Sequence, residues 1–213
     1  MKIDFVSDVS CPWCAVGLKS LETALARLGP EIDADLHFQP FELNPQMGPE
    51  GQDIAEHIAE KYGSSAVDIG RSQEVLKARG DALGFPFDFK RRSRIYNTFD
   101  AHRLLHWAGL ESSEKQSKLK HALLTAYHSR AENPAARDVL LRAAGESGLD
   151  VERAAAIVDS DEYTAEVRER ERHWQQLGIN SVPAVIIDDR HLISGGQPPE
   201  VFERALRELA AVA

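Results

Sequence analysis

Cysteine is scarce in this sequence: only Cys11 and Cys14 occur among its 213 residues. Two cysteines this close together cannot form the multi-disulfide framework that stabilises small secreted proteins. A structural zinc site is also disfavoured, because zinc needs about four ligands and the sequence has no second cysteine pair. A chain of this length can instead bury a large apolar core without covalent cross-links.

Long apolar runs and an excess of basic charge are missing as well. No stretch approaches the ~20 apolar residues that span a bilayer, and residues 1–8 indicate a strand rather than a signal peptide. The 25 Lys and Arg residues are outnumbered by 34 Asp and Glu residues, which gives a net charge of −9. Nucleic acid and anionic membranes would repel such a chain, so neither is an expected partner. We expect a cytoplasmic globular protein.

Strand and helix patterns alternate at both ends of the chain. Residues 2–7 and 36–39 have the pattern of short strands, and leucines between them recur every three or four residues, as in a helix. Such a βαβ unit favours a parallel strand pair with a crossover helix. Near the C-terminus, residues 182–187 and 191–194 predict a hairpin, and a helical stripe follows.

The long middle of the chain is predicted to be helical almost throughout. Thr98 is a candidate helix N-cap, and Ser113, with a glutamine three residues later, has the spacing of a capping box. The strands can share one sheet only if the helical block is inserted into a single domain. The sequence therefore predicts an α/β domain with its core in residues 1–48 and 178–213 and an all-helical insertion in residues 49–177.

The strongest chemical signal is Cys11-Pro12-Trp13-Cys14, at the junction of the first strand and the first helix. Residues three apart at a helix start face the same side, so the two sulfurs can reach disulfide distance. The unpaired N–H groups and the positive end of the helix dipole favour a thiolate at Cys11. Two structural cysteines and half of a zinc site are the alternatives, but a CxxC motif beside a βαβ unit favours a redox role.

A second signal is Val182-Pro183, directly before the third strand. Proline cannot donate a hydrogen bond to a sheet, so it marks a strand start or a bend. Only ~5–6% of X–Pro bonds in folded proteins are cis. These residues by themselves therefore predict a trans bond.

Five motifs occur in an order that is more specific than the cysteine pair alone. They are Asp8-Val9-Ser10-Cys11-Pro12-Trp13-Cys14, Phe41-Glu42-Leu43-Asn44-Pro45, Asn97-Thr98 with Ala101-His102-Arg103-Leu104, Gly178-Ile179 with Ser181-Val182-Pro183, and Ser194-Gly195-Gly196-Gln197-Pro198-Pro199. With them the chain resembles the DsbA-like branch of the thioredoxin superfamily, and within it the cytoplasmic FrnE-like group, over nearly its whole length. The resemblance implies a thioredoxin-like fold with a large helical insertion.

The resemblance also implies roles for particular residues. Cys11 would attack a disulfide as the exposed nucleophile, Cys14 would be shielded and would resolve the mixed disulfide, and Pro183 would be cis beside them. We expect no metal and no organic cofactor, with glutathione a candidate redox partner besides protein or small-molecule thiols and disulfides. The candidate substrate-binding residues are Pro12, Trp13, Val182, Asn97 and His102. For His102, simple packing between helices is an equally weighted alternative.

Related kappa-class glutathione transferases and 2-hydroxychromene-2-carboxylate isomerases share the insertion but have serines at both cysteine positions. They also hold glutathione with a different pattern where this chain has Gly195-Gly196-Gln197-Pro198. Both differences favour a dithiol oxidoreductase. A glutathione-dependent isomerase or transferase is one alternative, and a peptide-binding or biosynthetic accessory protein with silent cysteines is another.

Charges near the cysteines indicate the direction of electron flow. DsbA has Cys-Pro-His-Cys, in which the histidine stabilises the thiolate, whereas Trp13 carries no charge. A less stabilised thiolate makes a less oxidising disulfide, so we expect reduction or isomerisation. Asp4 and Asp8 are candidates to accept the Cys14 proton, although we expect both carboxylates to face solvent. The basic run at residues 90–94 is expected to attract an anionic substrate or to be solvated surface.

Overall fold

The computed structural model describes residues 1–211. Its strands are β1 (Lys2–Ser7), β2 (Asp35–Pro40), β3 (Gln52–Asp53), β4 (Arg94–Ile95), β5 (Ala184–Ile187) and β6 (His191–Ser194). Its α-helices are α1 (Pro12–Leu28), α2 (Ile54–Tyr62), α3 (Ala66–Ala82), α4 (Phe99–Glu111), α5 (Ser113–His128), α6 (Arg137–Glu146), α7 (Val151–Val158), α8 (Thr164–Gln176) and α9 (Pro199–Ala210). Within the same residues, no helix is both long and apolar enough to cross a membrane.

A four-stranded sheet in the order β2–β1–β5–β6 joins the two ends of the chain. β1 runs parallel to β2 and antiparallel to β5, so Phe5 lies opposite both Phe38 and Val185. The predicted βαβ unit and the predicted hairpin are both present, and the helical segment lies between them in the chain. The domain boundaries at residues 48/49 and 177/178 remain a prediction, and residues 212 and 213 of the predicted core lie outside the described part.

Helix α1 packs against both the sheet and α9, and this packing fixes the position of the cysteine motif. Leu18 and Leu21 of α1 are fully buried in one apolar cluster with Phe5 of β1 and with Phe202 and Leu206 of α9. Each such side chain contributes about 1.5–3 kcal/mol when it leaves water. The N-terminus of α1 is therefore held firmly at the end of β1.

A second apolar cluster forms the centre of the helical insertion and includes a residue of the cysteine loop. Leu104, Leu119, Leu123 and Leu140 of the insertion are fully buried there, and Val9 packs among them. Because Val9 lies two residues before Cys11, the insertion packs directly against the loop that carries the cysteines.

Two predicted helix caps act differently in the structure. Ser112, not Ser113, caps α5, with its hydroxyl accepting from Lys115 N (3.1 Å). Gln116 instead bonds both the N–H and the C=O of Phe38, at 3.1 and 3.2 Å. The reason is that β2 is an edge strand, whose unpaired backbone groups need partners when they are buried.

Thr98 occupies the N-cap position of α4 without capping the helix through its side chain. Its hydroxyl donates to Asp8 Oδ1 at 2.8 Å. Asn97 Oδ1 accepts from Phe99 N at 2.8 Å and so satisfies a free donor of the first turn. The insertion is thereby hydrogen-bonded to the cysteine loop.

Candidate active site

The two cysteines are free thiols at the first turn of α1. Cys11 is the N-cap residue, and Cys14 N donates to the Cys11 carbonyl at 3.1 Å. Cys11 is 4% exposed and Cys14 is fully buried. The expectation of an exposed Cys11 is therefore wrong, because the helical insertion and the Val182 loop cover this end of the helix. Of the two sulfurs, Cys11 is still the more accessible.

Cys14 lies in surroundings that oppose its ionisation. Burial is the main reason that the pKa of the Cys14 thiol lies well above its ordinary value. The hydrogen bond and the charge of Cys11 raise it further, whereas the charge of Lys120 acts in the opposite direction. The Cys14 thiol therefore needs help to lose its proton.

The Val182–Pro183 bond is cis and lies beside Cys11. Cys11 Sγ donates to the Val182 carbonyl at 3.7 Å. The prediction of a trans bond, made from the residues alone, is therefore wrong. The cis bond that the resemblance implied is present. A side chain at Gly17 would place a Cβ 3.0 Å from Pro183 Cγ and 3.2 Å from Gly196 Cα. Glycine at position 17 therefore lets α1 approach the proline loop closely.

Asp8 is fully buried, so the expectation that it faces solvent is wrong. Its carboxylate accepts hydrogen bonds from Ser10 N (3.1 Å), Ser10 Oγ (2.9 Å), Leu43 N (2.7 Å) and Thr98 Oγ1 (2.8 Å). Burial by itself raises the pKa of Asp8, but adjacent His102 and two backbone N–H groups hold it well below its ordinary range. Asp8 is thus a buried anion that ties three segments together.

Asp4 is also fully buried, again contrary to expectation. Gln39 Nε2 donates to Asp4 Oδ1 at 2.6 Å, and Lys2 Nζ lies 3.0 Å from the other oxygen. The partners come from the neighbouring strand and from the adjacent exposed lysine, so the carboxylate is paired although solvent does not reach it.

A pocket of about 590 Å³ opens onto Cys11. We call it the Cys11 pocket. Of the predicted substrate-binding residues, Pro12, Trp13 and Val182 line it, together with apolar side chains such as Leu76 and Phe89. Its lining also includes the cationic side chains of Lys61 and Arg92 and the imidazole of His57.

The cations around this pocket come from different elements. Arg92 belongs to the basic run at residues 90–94 but is largely buried, with its guanidinium 5.0 Å from the centre of the Tyr127 ring. Arg79 of α3 places its guanidinium 5.4 Å from the centre of the Trp13 ring. Trp13 itself carries no charge, yet the insertion brings a cation to it that the motif did not indicate.

Asn97 and His102, the two candidates from the insertion, lie behind the lining of the pocket. Asn97 Nδ2 donates to Glu42 Oε1 at 3.3 Å, and Arg168 forms an ion pair with the same carboxylate. His102 is 2% exposed, with Nε2 3.6 Å from Asp8 Oδ1. Both contact residues near the active site, and a direct role in substrate binding remains a prediction.

Sequence analysis missed Lys120, which is fully buried in α5. Its Nζ has no hydrogen-bond partner among residues 1–211. The sequence did contain a sign of this burial. Lys120 precedes Leu124 by four residues and Tyr127 by seven, so it lies on the same helical stripe as these two buried side chains. A lysine on an apolar stripe indicates a buried cation.

Lys120 lines a second cavity of about 250 Å³, which we call the Lys120 cavity. It has no lining residue in common with the Cys11 pocket. Its lining is rich in polar side chains, among them Asp4, Gln39, His102 and Gln116. As far as residues 1–211 are concerned, no group of three or more His, Cys, Asp or Glu side chains is placed to hold a metal ion.

Comparison with known proteins places this geometry in context. The profile of the DSBA-like thioredoxin domain family matches residues 2–207. A solved structure from Streptomyces coelicolor, described as a probable DsbA oxidoreductase, is 31% identical, with a TM-score of 0.90 over 100% of this chain and 90% of that one. The uncharacterized protein YwbO of Bacillus subtilis is 26% identical over 207 residues, which are 97% of this chain and 96% of YwbO.

A more distant structure shares the fold. The cytosolic disulfide reductase DsbM from Pseudomonas aeruginosa, solved with glutathione, is 16% identical, with a TM-score of 0.68 over 99% of this chain and 100% of DsbM. The predicted fold class, a thioredoxin-like fold with a helical insertion, is confirmed.

Proposed function

Because the chain belongs to the DSBA-like thioredoxin domain family, we propose that it is a thiol–disulfide oxidoreductase acting through Cys11 and Cys14. The observation that carries this proposal is the placement of two free thiols at the start of α1, with the more accessible one at the pocket. Val182, beside the Cys11 sulfur, offers backbone groups to an extended substrate.

The two cysteines form and break every sulfur–sulfur bond in the proposed reaction. The Cys11 thiolate attacks a substrate disulfide, a new sulfur–sulfur bond forms, and one substrate thiolate leaves. The Cys14 thiol then loses its proton and its sulfur attacks the Cys11 sulfur. The bond between Cys11 and the substrate breaks, the second substrate thiolate leaves and takes up a proton, and the protein keeps a Cys11–Cys14 disulfide.

Reduction or isomerisation is the direction we favour. Trp13 supplies no cation within the motif, and the buried Asp8 carboxylate, three residues before Cys11, disfavours additional negative charge there. A less stabilised thiolate makes the disulfide form relatively more stable, and the dithiol a better reductant. A cytoplasmic location, where thiols are kept reduced, would suit this direction.

A small anionic disulfide is the substrate class that the Cys11 pocket fits best. Its volume of about 590 Å³ is in the range of small-molecule sites. The lining holds two cations, Lys61 and Arg92, and two carboxylates, Glu42 and Asp68. Because Glu42 is paired with Arg168 and Asp68 accepts a hydrogen bond from Ser65, the two cations would still attract the carboxylates of a substrate. Glutathione disulfide has this chemistry, and DsbM, which has the same fold, was solved with glutathione.

A redox titration against glutathione tests the proposal. The reduced and oxidised protein are equilibrated with defined glutathione mixtures, and the fraction of Cys11–Cys14 disulfide is measured by mass spectrometry. We expect a potential near the ~−270 mV of thioredoxin; a value near the ~−120 mV of DsbA would refute the favoured direction. Glutathione binding without any disulfide formation would instead indicate a glutathione-dependent isomerase or transferase.

A further inference from the structure

Lys120 is the most unusual buried group in the described chain. Its side chain is fully buried on α5, and its Nζ has no hydrogen-bond partner among residues 1–211. A buried ammonium without a partner is costly, so such lysines are rare outside functional sites. Burial therefore lowers the pKa of Lys120, which brings the neutral amine within reach.

The groups around Lys120 belong to the active-site loop and to the neighbouring helices. Cys14, Asp8 and Cys11 each act on Lys120 through their charges, and Lys120 acts in the same way on His128 of its own helix. Across the Lys120 cavity, the ionisable side chains are Lys2, Asp4, His37, His102, His106 and Arg170. Lys120 is therefore electrostatically coupled to both sulfurs, and the cavity that it lines gives solvent a route to it.

Three other buried ionisable groups are less available to accept the Cys14 proton. Asp8 already accepts four hydrogen bonds, and its pKa lies well below its ordinary range. Asp4 is paired with Gln39 and Lys2. His128 Nε2 donates to the Val9 carbonyl at 2.9 Å, and burial holds the pKa of this imidazole well below its ordinary value, so its other nitrogen, Nδ1, is a weak base.

We propose, on the basis of the thiol–disulfide function proposed above, that Lys120 accepts the proton of Cys14 during resolution and passes it to solvent through the Lys120 cavity. The S–H bond of Cys14 breaks and an N–H bond forms on Lys120. The Cys14 sulfur then attacks the Cys11 sulfur, and the substrate thiolate leaves. The ammonium later returns the proton to water in the cavity.

The chemistry of the mixed disulfide gives this step its timing. While Cys11 is a thiolate, its negative charge favours the ammonium form of Lys120. When Cys11 is bonded to substrate, that charge is gone, and the neutral amine becomes easier to form. The base therefore becomes available at the stage at which Cys14 must lose its proton.

The test compares Lys120→Met with Lys118→Met. Lys118 lies on the same helix, but its side chain is 57% exposed and paired with Glu114. Each reduced variant is mixed with glutathione disulfide, quenched with acid at short times, and analysed by mass spectrometry. We expect Lys120→Met to accumulate the mixed disulfide and to resolve it about 10²-fold more slowly near pH 7. The difference in resolution rate between K120M and the unmodified protein should narrow as pH rises, because hydroxide replaces the amine as the base. K118M should resolve the mixed disulfide at the unmodified rate.

Two results separate this inference from the proposed function. If the unmodified protein forms neither the mixed disulfide nor the Cys11–Cys14 disulfide, the proposed function itself fails. If it forms both, and K120M resolves at the unmodified rate at every pH, only the role of Lys120 is overturned. A K120M defect in the first attack as large as the defect in resolution, measured in a Cys14→Ser background, would also overturn the role, because the first attack does not use the Cys14 proton.

A measurement on the unmodified protein keeps the proposal testable if K120M does not fold. Without a base, the resolution rate should rise about tenfold per pH unit until Cys14 itself ionises, because only its thiolate attacks. With Lys120 as acceptor, the rate should level off once the amine is neutral, at a pH below the ordinary pKa of lysine. A rate that still climbs tenfold per pH unit up to that pKa, without a plateau, would contradict the proposal.

Discussion

The Cys11 pocket and the Lys120 cavity differ in size and lining. The Cys11 pocket, of about 590 Å³, joins apolar side chains such as Trp13 and Leu76 with exposed Lys61 and largely buried Arg92. The Lys120 cavity, of about 250 Å³, includes two fully buried ionisable groups, Asp4 and Lys120. In the proposed mechanism, substrate exchange and proton transfer therefore take place in two cavities that share no lining residue.

The same contrast applies to the two sulfurs. Cys11 lies at the pocket and contacts the Val182 loop, where a substrate can reach it. Cys14 is enclosed, and its pKa is raised chiefly by burial. In the proposed mechanism, bond exchange with the substrate therefore takes place at Cys11, and Cys14 resolves the mixed disulfide.

Replacing each cysteine with serine should give the largest changes in disulfide exchange, and the two variants should fail at different steps. Cys11→Ser should lower the rate of disulfide exchange by about 10³-fold or more, because the nucleophile is lost. Cys14→Ser should instead form a stable mixed disulfide, since resolution is blocked. Intact-mass measurement after reaction with glutathione disulfide distinguishes the two outcomes. An adduct on C11S, with none on C14S, would reverse the assignment.

The next largest effect concerns Asp8, the buried anion that joins the cysteine loop to the helical insertion. Asp8→Asn should lower the free energy of unfolding by about 2–3 kcal/mol, because an amide N–H₂ would face donors that now bond a carboxylate. Asp81→Asn is the matched control. Its side chain is 51% exposed and makes one ion pair, so a change within ~0.5 kcal/mol is expected. Urea denaturation measures the change in the free energy of unfolding for both variants.

The contribution of Asp8 to the free energy of unfolding should decrease as pH falls. Its folded pKa is lowered, so its contribution to stability is complete above the unfolded value of ~3.9 and is lost as pH falls towards the folded value. The difference in unfolding free energy between the unmodified protein and D8N should therefore be full at pH 7 and smaller at pH 3. A difference that grows in acid would contradict the burial of an ionised Asp8.

The smallest effect concerns substrate charge in the Cys11 pocket. Lys61 is a lining residue held by the Leu43 carbonyl and Asn44 Oδ1, at 2.5 and 2.7 Å. Lys61→Met should slow the reaction with glutathione disulfide about 2–5-fold, since a partly exposed charge pair is worth about 0.5–1 kcal/mol. The neutral hydroxyethyl disulfide should react unchanged. Lys77→Met, an exposed lysine of α3, is the control; equal slowing with both disulfides would exclude a charge effect.

The sequence predicted the fold better than the surroundings of the sulfurs. Apolar periodicity identified the strands at the two ends and the helices between them, because burial of one face dictates that pattern. The cysteine motif pointed to the two sulfurs that the proposed reaction uses. The burial of Asp8 was missed because a main partner, Thr98, is 90 residues away in the sequence. Lys120 was missed because lysine is ordinarily exposed, although its position on the apolar stripe of α5 indicated burial.

The most direct test of the central claim, that the two sulfurs are chemically unequal, is alkylation of the reduced protein near neutral pH. Iodoacetamide is added in limiting amount, and peptide mass spectrometry locates the label. The account predicts that Cys11 is labelled first, because it lies at the pocket while Cys14 is fully buried with a raised pKa. Preferential labelling of Cys14 would contradict it.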